Sequence, residues 1–231
     1  MKRMIDFRSS APSRQARPHL RQGIAVLFLL VVTAAMHAQI KAPARMDVQP
    51  KGYVCGYAAK APEIDGKLSD AAWAKAPWTD DFVDIEGDAK PAPRFRTRAK
   101  MLWDERCLYI AAELEEPHVW GTLKQRDTVI FYDNDFEVFL DPNGDTHEYF
   151  EFEMNALNTV WDLSLPLPYK DGGKAIDSWD IEGLRTGVFV DGTINNARNT
   201  DNGWTLEIAI PWTAIGSAAR AEISEFLGRT V

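Results

Sequence analysis

The stretch from Asp133 to Asn155 does most to decide what this chain can fold into. In "DFEVFLD", Phe136, Val138 and Leu140 fall on one side, and Asp135, Glu137, Phe139 and Asp141 on the other. "YFEFEMN" repeats the arrangement, with Phe150, Phe152 and Met154 opposite Tyr149, Glu151, Glu153 and Asn155. Successive side chains alternate across a β-strand, so a period of two with one apolar side describes strands that bury one face. Between them "PNGDTHE" supplies Pro142, Asn143 and Gly144, which favour turns. The pair predicts a hairpin.

The same period recurs elsewhere. In "TRAKMLWDERCLYIAAEL", Ala99, Met101 and Trp103 alternate with Arg98, Lys100 and Leu102. "DER" turns the chain, and Leu108, Ile110, Ala112 and Leu114 resume the pattern. "LRTGVFVDGTI" carries Asp191-Gly192, a strong short-hairpin signal. In "GWTLEIAIPW", Trp204, Leu206, Ile208, Ile210 and Trp212 share a side. The only helix expected is a short one at "LSDAAWAKA", capped by Ser69 and anchored in the core by Trp73. Many short strands with almost no helix predict an all-β fold, a jelly-roll-like sandwich of two antiparallel sheets.

The N-terminal segment stands apart. Arg14, Arg17 and Arg21 precede "GIAVLFLLVVTAAMHA", the basic flank, short apolar run and small-residue end of a secretory signal peptide. The expected organisation is a leader over residues 1–38, a flexible lead-in over 39–55, the sandwich over 56–220 and a short tail over 221–231. The run is short for spanning a bilayer, so no stable membrane insertion is expected after cleavage. Loss of residues 1–38 leaves 20 basic and 33 acidic side chains, a formal charge of −13. That balance argues against nucleic acid and anionic membranes, and suits a neutral or cationic ligand. In an oxidising compartment Cys55 and Cys107 either pair or remain half-buried thiols. No Cys/His spacing indicates zinc.

The acidic hairpin admits three chemistries. For calcium, Asp141, Asn143 and Asp145 match positions 1, 3 and 5 of an EF-hand loop, but Thr146 replaces its glycine and Phe152 its final glutamate. A looser structural calcium site remains open, beside an ordinary polar turn. For catalysis, Glu137 with Glu151 or Glu153 has the carboxylate pairing of a glycoside hydrolase. Facing acids along strands are more often a solvated face, and His118 and His147 stand isolated. For recognition, aromatic planes stack on sugar rings while carboxylates accept bonds from hydroxyls. Phe131, Tyr132, Glu137, Glu151, Glu153 and Asn155 are the candidates for that role. A sandwich with no sugar site, including haem-binding types with Met154 or His147 as a ligand, is the remaining alternative.

Four motifs, "EIDGKLSDAAW", "MLWDERCLYIAAEL", "DNDFEVFLDPNGD" and "GWTLEIAIPW", occur in the order found in family nine carbohydrate-binding modules. Over residues 60–216 the chain resembles the secreted, bacterial family nine-like proteins. The resemblance implies a β-sandwich, no catalysis, no required cofactor beyond structural calcium, and binding of plant-type glucan or xylan. It also implies secretion or a periplasmic or cell-surface location. One residue of the family's tryptophan clamp corresponds to Phe131 or Tyr132, the strand glutamate to Glu137, and a basic residue to Glu151. The second clamp tryptophan belongs to strands beyond "AIPW", whereas here "AAEISEFLGRTV" follows. An incomplete clamp and weak sugar binding are therefore expected.

Overall fold

A computed structural model describes residues 51–216. The predicted leader, most of the lead-in and the tail lie outside the described residues. Among the described residues, eight strands form two sheets. The larger has the order β1-β2-β3-β8-β7, built from Gly56–Tyr57, Thr97–Trp103, Cys107–Leu114, Gly203–Pro211 and Arg185–Asp191 respectively. The smaller has the order β4-β5-β6, from Asp135–Leu140, Tyr149–Asn155 and Val160–Leu165. Pairing is antiparallel throughout except for the short β1, which lies parallel to β2. The predicted all-β sandwich is the observed fold.

The inward faces are those the period of two selects. Phe136, Phe152, Met154 and Val160 from the small sheet pack with Ala99, Ile110, Ala112, Trp204, Leu206, Ile208 and Ile210 from the large one. Burial of such side chains contributes roughly 1.5–3 kcal/mol each. Strand β3 is buried on both sides, however. Tyr109 and Ala111 join Trp73, Leu102, Ala58, Ala76 and Ala209 in a second cluster on the outer face of the large sheet. The segment before β2 covers that face, so only part of the large sheet meets solvent there.

Two local expectations are corrected. The helix at "LSDAAWAKA" is a single 3₁₀ turn, Trp73–Lys75, preceded by Ala72 with no side-chain cap, so Ser69 does not cap it. Trp73 is nevertheless a core anchor, 1% exposed. Asp191-Gly192 does not make a two-residue hairpin: Asp191 pairs with Gly203, and residues 192–202 form the connection. Asp201 organises this loop, accepting hydrogen bonds from the amides of Val119 (3.0 Å) and Thr193 (2.8 Å) and from Asn199 Nδ2 (3.0 Å).

Cys55 and Cys107 are free thiols, the first partly buried and the second buried. Cys55 leads into β1, Cys107 begins β3, and β2 lies between those strands. Two strand spacings amount to about 9.5 Å, beyond the roughly 7 Å over which Cα atoms can be bridged. No helix among the described residues is long and apolar enough to cross a membrane.

Candidate functional site

The acids of the hairpin lie on the side of the small sheet facing away from the sandwich core. Register places Glu137 opposite Glu153, Phe139 opposite Glu151, and Asp135 opposite Asn155. On the other flank Glu153 faces Trp161, and Glu151 faces Leu163. Directly opposed residues share a face, so Glu137, Glu151 and Glu153 point the same way, as the alternation predicts.

That face is not a simple solvated one. Glu151, Glu153 and Asn155 are 5%, 1% and 0% exposed. Irregular segments fold over them. A 3₁₀ turn, Ile130–Tyr132, crosses the sheet, and the Phe131 amide donates to Glu153 Oε2 at 3.1 Å. Its ring lies 6.1 Å from that of Trp161 and 5.1 Å from that of Tyr132. Farther along β5, Tyr169 donates its hydroxyl to Glu151 Oε2 at 2.7 Å, and Phe139 packs 6.3 Å from Tyr149. What remains outermost is one carboxylate, Glu137, among partly exposed rings: Phe131 (52%), Tyr132 (78%), Phe139 (54%) and Tyr169 (51%).

Asn155 has a different role from the one predicted. Its Nδ2 donates to Leu123 O and to Asp133 Oδ2, and its Oδ1 accepts from the amides of Leu157 and Thr159. All of its hydrogen-bonding capacity is used within the fold. Asp133 completes the brace, accepting from the Thr122 and Leu123 amides and from the Thr122 hydroxyl. Together they fix the loop that presents Phe131 and Tyr132.

Below Glu137 the electrostatics are tight. Asp135, Glu137 and Glu153 bring carboxylate oxygens within 4.8 Å of one another. Burial, reinforced by Asp135 and the two neighbouring glutamates, pushes Glu153 up to about 8. Burial together with Glu137 and Asp133 raises Asp135 to about 7. Burial also raises Glu137 and Glu151, the latter despite the bond from Tyr169. Like charges this close in a dry setting cannot all ionise at neutral pH. The group therefore holds protons, and Glu137 is the member open to a ligand.

The loop Asp141, Asn143, Asp145 lies beyond the end of β4. Asp141 accepts from the amides of Gly144 (2.9 Å) and Thr146 (2.7 Å). Asp145 Oδ1 accepts from the His147 amide at 2.8 Å, and its Oδ2 accepts from Asn143 Nδ2 at 3.0 Å. Calcium takes six to eight oxygens, whereas these carboxylates are turned onto the loop's own donors. His147 is exposed, and Met154 is fully buried in the core.

Tyr169 and Trp161 escape the sequence reading. Trp161 sits on β6, where "VWDLSL" alternates, and its register with Glu153 places it on this face. Tyr169 lies in a loop with no periodic signal.

A family model described as "Carbohydrate family 9 binding domain-like" matches residues 64–227. Exoglucanase XynX of Acetivibrio thermocellus is 30% identical over 67% of this chain, which covers 12% of that protein. Endo-1,4-beta-xylanase A of Thermoanaerobacterium saccharolyticum is 26% identical over 67% of this chain, which covers 11% of that protein. The chain thus spans a small part of the relatives it matches. A crystal structure of a Bacteroides uniformis protein superposes with a TM-score of 0.52 at 14% identity, covering 71% of this chain and 73% of that one.

Proposed function

Because the chain belongs to the carbohydrate family 9 binding domain-like family, we propose that it is a secreted, non-catalytic module that holds β-linked glucan or xylan on the outer face of its small sheet. The observation that carries this reading is the placement of Glu137 as an open acceptor beside the partly exposed rings of Phe131 and Tyr132. Rings offer flat apolar area to a pyranose face at low entropic cost, and a carboxylate accepts strong bonds from hydroxyls.

Hydrolysis is the weaker reading. A glycosidase needs two carboxyl groups flanking a scissile bond. Here Glu151 and Glu153 lie beneath the rings, one bonded to Tyr169 and the other to the Phe131 amide. Both are buried, which leaves Glu137 as the exposed acid of the three. The matched exoglucanase and xylanase support a polymeric ligand found outside the cell, which agrees with the leader read in residues 1–38.

Isothermal titration with cello- and xylo-oligosaccharides tests the assignment. Glu137→Gln should weaken binding about ten- to a hundredfold, the worth of one charge-assisted hydrogen bond. Phe131→Ala should weaken it comparably, and no reducing sugar should be released. Equal affinity of Glu137→Gln and the parent for every glycan that binds would refute this site. Mass spectrometry of exported protein should find an N-terminus near Gln39.

A further inference from the structure

Two residues beyond Glu137 on β4, a second group of rings lies on the same face. Phe139 is 54% exposed and sits 6.3 Å from Tyr149, its diagonal neighbour on β5. Tyr169 is 51% exposed and reaches down to Glu151, the residue opposite Phe139. Half-exposed aromatic rings in a contiguous group mark a contact surface more often than isolated ones do.

Tyr169 is held rigidly. It begins a 3₁₀ turn, Tyr169–Asp171, which Gly172 closes at φ 84°. The Gly173 amide returns to Pro168 O at 3.1 Å, and a Cβ on Gly173 would lie 1.8 Å from Leu167 O. The turn is therefore closed at its base, and the bond from the Tyr169 hydroxyl to the buried Glu151 fixes its ring from below. Such preorganisation lowers the ordering cost of binding.

The two ring groups lie one rung apart. Phe131 is tied to the rung of Glu153 and Glu137, and Phe139 and Tyr169 to the next, set by Glu151. Two residues along a strand advance about 6.6 Å, room for one sugar ring per rung.

We propose that Phe139, Tyr149 and Tyr169 form a second saccharide subsite that takes the unit adjoining the one held at Glu137. The ligand class is then a β-linked chain of at least two units lying along β4 and β5. Phe139 supplies the stacking plane, Tyr169 a wall, and Glu151 acts only by positioning Tyr169. This assignment rests on the binding reading given above.

The test is the dependence of affinity on chain length. Glucose, cellobiose and cellotriose, with the matching xylose series, are titrated into the parent and into Phe139→Ala, Tyr169→Phe and Phe131→Ala. The parent should bind trisaccharide at least about tenfold more tightly than monosaccharide. Phe139→Ala should remove most of that gain and leave monosaccharide affinity within about twofold. Tyr169→Phe keeps the ring but frees it, and should weaken trisaccharide binding alone. Melting curves on each variant separate lost binding from lost folding, and Phe139→Ala alters only a half-exposed ring. A chain-length gain that persists in both Phe139→Ala and Tyr169→Phe would overturn the subsite while leaving the Glu137 site standing. No sugar binding by the parent, or affinity untouched by Phe131→Ala and Glu137→Gln, would overturn both.

Discussion

The indole of Trp73 donates its Nε1 hydrogen to Oε1 of Glu207 at 2.6 Å, across 134 residues of chain and with both side chains buried. The other oxygen of Glu207 accepts from the amides of Asp65 (3.0 Å) and Gly66 (2.8 Å). One carboxylate thus fastens the segment before β2 onto the middle of β8, and joins the first and last of the four sequence motifs.

Glu207→Gln should therefore destabilise the protein although it keeps the shape. The amide that replaces one oxygen is a donor facing either the Trp73 indole or the two backbone amides. A buried polar group left unpaired costs about 1–3 kcal/mol. Trp73→Phe removes the other partner, and a double-mutant cycle in urea should show strong coupling between the two changes. Additive effects would mean that the bond contributes little.

A second close approach fixes the same segment. An added Cβ on Gly187 in β7 would lie 2.6 Å from the amide nitrogen of Gly66, and one on Gly66 would lie 2.3 Å from the carbonyl carbon of Val188. Neither neighbour is a side chain that can swing away. Gly187→Ala should cost about 1–3 kcal/mol, as overpacking against fixed atoms does. The midpoint of a denaturant titration should fall accordingly. An unchanged midpoint would show that the segment lifts freely from β7.

The strands and their inward faces were legible because burial of one face imposes a period of two, which "DFEVF" and "YFEFEMN" display directly. The hairpin at Asp191-Gly192 was misread because a distant group overrides local turn preference. Gly192 adopts φ 152° with its missing Cβ 2.3 Å from Asp201 Oδ1, so that glycine makes room for a carboxylate. Burial of Glu151, Glu153 and Asn155 was hidden for a related reason. The segments that cover them, around Phe131 and Tyr169, are irregular, and no pattern in the chain indicates where they fold. On β4, Glu137 and Phe139 keep the exposure that alternation suggests.

The loop after β4 yields a test of the calcium expectation. Asp141 caps the amides of Gly144 and Thr146, so Asp141→Ala should lower stability by ~1 kcal/mol through lost hydrogen bonds. For a chain of this size that is a fall in Tm of about 2–4 °C. The fall should be the same in calcium and in chelator. A loss seen only when calcium is present would place the ion in this loop, with Asn143 and Asp145 beside it.

The buried acids beneath Glu137 should impose a pH dependence of stability. Asp135 at about 7 and Glu153 at about 8 lie above their ordinary values of 3.8 and 4.5 because burial, and then neighbouring carboxylates, disfavour their charged forms. Between the ordinary and raised values the folded chain binds more protons than the unfolded one. Stability therefore falls as pH rises. The loss begins above pH 4 and is complete once Glu153 has ionised, near pH 8. Asp104, Asp133 and Asp201 work in the opposite sense. For Asp104 and Asp133 burial pushes upward, but accepted hydrogen bonds outweigh it, and for Asp201 the amides of Thr193 and Val119 dominate; all three are held low. Their contribution is lost only on acidification below the usual aspartate range. The maximum should consequently lie at mildly acidic pH, with a falling limb toward pH 9. Glu153→Gln separates this cluster from everything else that titrates. The amide oxygen still accepts from the Phe131 amide, while a permanently neutral side chain removes one proton from the linkage and relieves Asp135 and Glu137. Melting curves from pH 5 to 9 should show Tm declining in the parent and a flatter slope in Glu153→Gln, with the largest gain at the alkaline end. Parallel slopes would mean that Glu153 is already ionised at neutral pH and that the hollow beneath Glu137 is wetter than its burial implies.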